Sequence, residues 1–289
     1  MTTIRPRRSV LYMPGSNARA LEKARTLPAD ALILDLEDAV APDAKDLARQ
    51  QVCDAVKARG FGKREVIIRV NGLGTPWGEH DLWAAAEARP DAILVPKIES
   101  AVELNTIESK LGPFDPGIAV WAMVETPRAI LNIGHVAAAG GRLACFVMGT
   151  NDLIKEIRGV HTQDRANLSA ALSLSVLAAR ANGLAVIDGV YNDIANADGF
   201  KATCEQARAF GFDGKTLIHP TQVEPCNAVF APSAAEVEDA RKMIAAFELP
   251  ENKGKGAIKV DGRMVELLHA EIARGTVAMA DAIAALEAA

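Results

Sequence analysis

Residues 31–38 read ALILDLED, an apolar run that stops on acidic side chains. Short apolar runs that close on a polar or charged cluster recur: SVLYMPGSN (9–17), EVIIRVNG (65–72), AILVPKIES (92–100), IAVWAMVETP (118–127), ACFVMGTND (144–152), LAVIDGVYND (184–193) and TLIHP (216–220). Continuous short apolar runs of this kind are the pattern of strands buried on both faces of a parallel sheet. Segments of helical periodicity lie between them, such as Leu168, Leu172, Val176 and Ala179 before the seventh run. Strand ends at 14, 37, 69, 97, 125, 152, 188 and 219 give a mean repeat of about 29 residues, the size of a βα unit. Eight such units predict an α/β fold, a TIM (β/α)8 barrel over residues 1–232. A doubly wound sheet would carry fewer repeats and a phosphate fingerprint after its first strand, which MPGSN is not.

Past the eighth unit the pattern changes. Ser233 and Glu236 form a capping-box signature opening a helix over 234–248, and LPENKGKG (249–256) reads as a linker. AIKV-DG-RMV (257–265) predicts a hairpin around an Asp-Gly turn, followed by a terminal helix over 266–286. A piece of this size needs a surface to pack on, so 257–289 is expected to act as a lid segment on its own barrel or on a neighbouring chain.

Composition narrows the function. The chain has 289 residues, 49% of them hydrophobic, and a formal charge of −5, which offers no basic field to a nucleic acid or an anionic membrane. No apolar stretch reaches the roughly 20 residues of a membrane span, and the start does not read as a signal peptide, so a cytoplasmic protein is expected. Cys53, Cys145, Cys204 and Cys226 are widely spaced, without zinc-type companions, and read as buried thiols. Signatures of serine hydrolases, zincins, P-loop NTPases and dinucleotide oxidoreductases are missing.

In a TIM barrel the residues ending the strands converge on one mouth. That rule selects Glu37, Asp38, Arg69, Lys97, Glu99, Glu125, Asp152, Asp188 and His219. Glu125 and Asp152 end consecutive strands, about 4.8 Å apart, and can share one cation. Hard oxygen ligands without thiolate or imidazole suit Mg²⁺, with Mn²⁺ possible. The structural alternative is a salt bridge from one of them to Arg69, Lys97 or Arg128. Arg69 can grip a carboxylate or polarise a carbonyl through its planar fork; pairing with Glu37 or Asp38 is its alternative role. Lys97 raises a rival Schiff-base chemistry, opposed by neighbouring Glu99 and Glu125, which would hold it protonated.

These residues lie in motifs that resemble the citrate lyase beta-subunit family of HpcH/HpaI-type aldolases, which includes malyl-CoA and citramalyl-CoA lyases. The resemblance runs through RSVLYMPGSN, LILDLEDAVAPDAK, IIRVNGLGT, VPKIES, VETPRAI, MGTNDL, IDGVYND, GFDGKTLIHPTQV and VDGRMVE. It implies a Mg²⁺-dependent lyase that cleaves a 3-hydroxy-3-carboxyacyl-CoA to an acyl-CoA and a small 2-oxo acid. By the same resemblance Glu125 and Asp152 match metal ligands, and Arg69 matches the arginine holding substrate oxygens. Asn151 lies beside the acid, Lys23 with Arg19 meets the CoA, and Glu37 and Asp38 are acidic residues of the mouth. The lid position, an aspartate in the lyases, is Glu266 here. A glutamate shifts the carboxyl by about one bond, which weakens the case for carbon–carbon cleavage. A similar MVExLH ending occurs in a malyl-CoA thioesterase, which is the alternative reading. A non-catalytic CoA-binding barrel is a third. The resemblance further implies a homotrimer or homohexamer.

Overall fold

The computed structural model describes residues 4–288. They fold as two compact units, residues 7–230 and residues 231–288 with 4–6.

In the first unit the strands are β1 (Ser9–Pro14), β2 (Ala31–Asp35), β3 (Glu65–Arg69), β4 (Ala92–Val95), β5 (Ala119–Val124), β6 (Leu143–Met148), β7 (Ala185–Asp188) and β8 (Gly214–Leu217). Each pairs in parallel with the next, and β8 closes on β1, forming the expected eight-stranded barrel. The intervening helices are α1 (Ala18–Ala24), α2 (Lys45–Ala58), α3 (Gly78–Ala88), α4 (Ala101–Leu111), α5 (Pro127–Ala137), α6 (Thr150–Glu156), α7 (Ser169–Ala181), α8 (Ala197–Phe210) and α9 (Val223–Phe230).

Strand side chains alternate between two cores. Val10, Ala31, Ile33, Ile67, Leu94, Trp121, Val147 and Ile187 fill the barrel. Leu11, Leu32, Leu34, Ile68, Ile93 and Phe146 pack outward with helix residues such as Val52, Leu82 and Leu172. Because both faces are covered, the strands are apolar throughout, which explains the runs seen in the sequence. All four cysteines are free and buried, as expected.

The second unit contains α10 (Ala234–Glu248), β9 (Ala257–Val260), β10 (Arg263–Glu266) and α11 (Leu267–Glu287). Ser233 accepts the Glu236 N–H while the Glu236 carboxylate accepts the Ser233 N–H, closing the expected capping box. The hairpin turns on Asp261 and Gly262, both at positive φ, the conformation that an Asp-Gly pair tolerates in a tight turn. Phe247 of α10 shares a small core with Ile258, Val265 and Ala270, so helix, connector and hairpin form one packing unit.

Candidate active site

Local chemistry at the strand ends decides which side chains reach the mouth. After β5, Thr126 is extended and its hydroxyl accepts the Ala129 N–H at 3.1 Å, while Pro127 starts α5 with no N–H to satisfy. This strand-to-helix switch fixes Glu125, which is only 1% exposed. Its carboxylate accepts the Lys97 backbone N–H at 2.9 Å. On the adjacent strand, Gly149 forms the turn into α6. A Cβ there would lie 2.4 Å from Glu125 Cβ and 2.5 Å from its Oε2, so only glycine leaves room for this carboxylate.

Asp152 does not end β6 as the sequence suggested. The strand stops at Met148, and Asp152 occupies the first turn of α6. The βα connection is the single residue Gly149, so GTND reads as a helix entry. The position still suits the role, because Glu125 and Asp152 line one cavity of 310 Å³. Burial, then the charges of Glu37 and Asp152, push the Glu125 carboxyl up to about 8. Two repelling carboxylates, one of them buried, fit a divalent cation whose charge would ionise both. Mg²⁺ commonly takes one or two protein carboxylates and fills its shell with water and ligand oxygens. Among the described residues no cluster of three or more His, Cys, Asp or Glu offers a fuller ligand set.

Arg69 ends β3, level with Asp35 of β2. Its Nε and Nη2 donate to the two Asp35 oxygens at 2.6 and 2.7 Å, a bidentate fork between residues 5% and 1% exposed. Asp35 also accepts the N–H groups of Glu37 and Ala39, so one carboxylate holds the arginine and shapes the following loop. Lys45 pins that loop through the Leu36 and Glu37 carbonyls and Asn71 Oδ1. The guanidinium lies 4.8 Å over the Tyr12 ring. Its remaining nitrogen, Nη1, is 2.9 Å from Glu37 Oε2 and 3.4 Å from Asp38, whose side chain is 69% exposed. The sequence had offered Glu37 or Asp38 as structural partners of Arg69; both are present, but the main partner is Asp35. The Glu37 contact lies outside hydrogen-bond geometry, leaving Oε2 unbonded. Burial, opposed by Arg69, pushes the Glu37 carboxyl up to about 7, with Asp38 and Asp35 adding to the rise.

Other expected residues divide. Asn151 lines the cavity and exchanges amide hydrogen bonds of 3.2 and 2.9 Å with Asn192. Lys97 is corrected: its side chain is exposed and does not line the cavity, and its backbone, at φ 53°, presents the N–H to Glu125. Glu99 turns instead to Thr126 and Arg128. Asp188 is also corrected. Ile187 points into the barrel, so Asp188 faces outward and is fully buried with Lys215 and Arg165. His219 caps a short 3-10 turn, bonding Thr221. Arg19 and Lys23 are exposed on α1, four residues apart and thus on one helical face. Glu266 caps α11 in the second unit, where its N–H donates to His269 Nδ1.

Sequence reasoning missed Asp35, Tyr12, Met123, Met148, Asn192 and Thr216, which all line the cavity. For Asp35 the signal was available: Ala31 and Ile33 point inward, so strand alternation carries Asp35 inward too.

Residues 8–220 match the family described as HpcH/HpaI aldolase/citrate lyase. The chain belongs to that family. A (3S)-malyl-CoA thioesterase of Cereibacter sphaeroides is 52% identical over 283 residues, 98% of each chain. The citrate lyase subunit beta of Escherichia coli K12 is 34% identical over 269 residues, 91% of this chain and 89% of that one. The CitE protein of Mycobacterium tuberculosis, solved with magnesium, acetoacetate and coenzyme A, superposes with a TM-score of 0.74 at 29% identity, covering 94% of this chain and 97% of that one. The family assignment makes this chain an enzyme of the citrate lyase beta-like group, and it agrees with the closed barrel. Among the described residues, no helix is long and apolar enough to cross a membrane.

Proposed function

We propose that this protein is a Mg²⁺-dependent thioesterase acting on malyl-CoA or a similar 3-hydroxy-3-carboxyacyl thioester. The observation that carries the metal-centred reading is the buried Glu125 facing Asp152 across one small cavity that Arg69 also lines. The choice of hydrolysis over carbon–carbon cleavage rests on the 52% identity to a (3S)-malyl-CoA thioesterase and on glutamate, not aspartate, at position 266.

Glu125 and Asp152 would hold the ion, which supplies Lewis acidity to ligand oxygens when bound. Arg69, clamped by Asp35, directs Nη1 toward charge developing on the substrate; the fork keeps that donor in place before reaction. Asp38, the most exposed of the Arg69 partners, is the one an incoming carboxylate would displace. Water adds to the thioester carbon, the C–S bond breaks, and the thiol leaves with a proton. Glu37, raised to about 7 and beside Nη1 just behind the cavity lining, is the nearby carboxyl whose basicity suits it to take up the proton from water. Arg19 and Lys23 are the exposed cations assigned to the CoA phosphates.

The lyase is the second reading, favoured by the 34% identity to citrate lyase beta subunits. It breaks C2–C3 and leaves a thioester enolate, which Glu266 would have to protonate. Identifying products from malyl-CoA separates the two. Free CoA with malate supports hydrolysis, whereas acetyl-CoA with glyoxylate overturns it in favour of the lyase. We further propose a cytoplasmic homotrimer or homohexamer in which residues 257–289 close a neighbour's mouth; light scattering of the purified chain tests the stoichiometry.

A further inference from the structure

A second chamber, of 520 Å³, opens between the α6–α7 loop, the loop after β7 and Thr203 of α8. It shares Thr150, Val190 and Asn192 with the mouth cavity, and the Asn151–Asn192 amide pair stands at that common wall. No step proposed above uses it.

The charge behind this chamber is unbalanced. Asp188, fully buried, is the single carboxylate for two cations: Lys215 Nζ at 2.7 Å, also fully buried, and Arg165 Nη1 at 2.8 Å to each oxygen. Burial pushes the Asp188 carboxyl up, but Lys215 and Arg165 outweigh it and hold it below the usual carboxylate range. With all three ionised, the cluster carries one excess positive charge, an arrangement buried groups normally avoid. Arg165 lines the chamber. Its Nε donates to Gln206 at 2.7 Å, and its Nη2 is buried with no acceptor.

The rest of the lining neither cancels that charge nor competes for it. His161, Asn167 and Tyr191 bring polar groups. Asp193 lies at the rim and is exposed, so solvent screens it. Asp164, nearby in the loop, spends one carboxylate oxygen on Thr162 Oγ1 and the Ala166 N–H.

From this arrangement we propose that the chamber is a second oxyanion-binding site, separate from the mouth, which takes a small carboxylate or inorganic phosphate with Arg165 as its cation. Binding there balances the Asp188–Lys215–Arg165 cluster. Neither Glu125 nor Asp152 takes part, so the site stands or falls independently of the reaction proposed above.

The test is calorimetric titration of the full chain, freed of metal and desalted, with phosphate and separately with acetate. Saturable binding with unchanged affinity in Asp152→Asn is expected. It should weaken by about two- to fivefold in Gln163→Glu, which places a partly screened negative charge in the chamber wall, and strengthen by a similar factor in Gln163→Lys. Gln163 is exposed, so both variants should fold. Arg165→Gln should abolish binding, and the Gln163 pair decides the matter if that variant does not fold. Binding of phosphate alone identifies an inorganic ligand, and binding of acetate identifies a carboxylate; either supports the site. Tighter binding in Asp152→Asn with no change in Gln163→Glu would move the anion to the mouth, where that substitution removes a repelling charge. That result, or no saturable binding of either probe, overturns the proposal.

Discussion

Replacing Asp35 by alanine should be the most damaging single change at the mouth that touches neither proposed metal ligand. Asp35 and Arg69 are 1% and 5% exposed and share two short hydrogen bonds. Removing one partner of a buried ion pair costs about 3–5 kcal/mol, because the other charge stays behind. Glu37 and Asp38 remain near Nη1 and offset part of this. Against that relief, the N–H groups of Glu37 and Ala39 lose their acceptor, at about 1 kcal/mol each. The expected net loss is about 3–4 kcal/mol, or a fall in Tm of roughly 6–12 °C for a chain of this size. Urea unfolding gives the free energy, and thioester turnover at a permissive temperature gives the effect on Arg69. Activity should fall further than the folded fraction does, since an unclamped Arg69 no longer directs Nη1. A variant within about 1 kcal/mol of the parent and with normal turnover would refute the clamp.

Further outcomes follow from the same geometry. With the Glu125 carboxyl raised to about 8 from its usual 4.5, the metal-free native state binds more protons than the unfolded chain between those values. Stability of the metal-free protein should therefore fall as pH rises from about 4.5 to about 8, and Mg²⁺ should restore it; thermal melts across that range check the sign. Protons and Mg²⁺ compete for Glu125, so apparent Mg²⁺ affinity should drop up to about tenfold per pH unit below 8, measured by calorimetry; a flat profile would exclude Glu125 as a ligand. Gly149→Ala should lose Mg²⁺ binding while the chain stays folded by circular dichroism, because its Cβ would collide with Glu125. Lys97→Met should keep most of its turnover, and borohydride should trap no substrate adduct, since the Lys97 side chain is exposed outside the cavity lining and it is the backbone N–H that bonds Glu125.

The barrel was legible because its strands are buried on both faces and each run closes on a polar or charged cluster, so composition and spacing alone counted eight units. The site was less legible where a residue's direction depends on phase within a strand. Asp35 was hidden inside DLED, although Ala31 and Ile33 set its inward direction. Asp188 ended its run as a mouth residue should, but Ile187 holds the inward position and sends Asp188 outward to Lys215. Asp152 was assigned to a strand because ACFVMGTND carries no loop residues beyond Gly149, which by itself makes the turn into α6. Tyr12, Asn192 and Thr216 come together only when the barrel closes, and no local pattern announces that.

The acidity of the mouth bears on the order of binding. Asp35, Asp38, Glu125 and Asp152 line the cavity against a single cation, Arg69, and Asp35 already occupies two of its nitrogens. An anionic acid entering such a cavity meets net repulsion, which in a partly buried site is screened far less than in water. A divalent cation on Glu125 and Asp152 would displace the Glu125 proton, offset both carboxylates and leave Asp38 as the mobile competitor for Nη1. Malate should therefore bind weakly without Mg²⁺ and at least about tenfold more tightly with it, a coupling of about 1.4 kcal/mol that must appear equally in the effect of malate on Mg²⁺ affinity. Asp38→Asn should raise metal-free malate affinity, because it removes the exposed carboxylate nearest Nη1 without touching the fork. If malate binds equally well with and without Mg²⁺, the anion is held by other cations, and Arg69 is a structural partner of Asp35 alone.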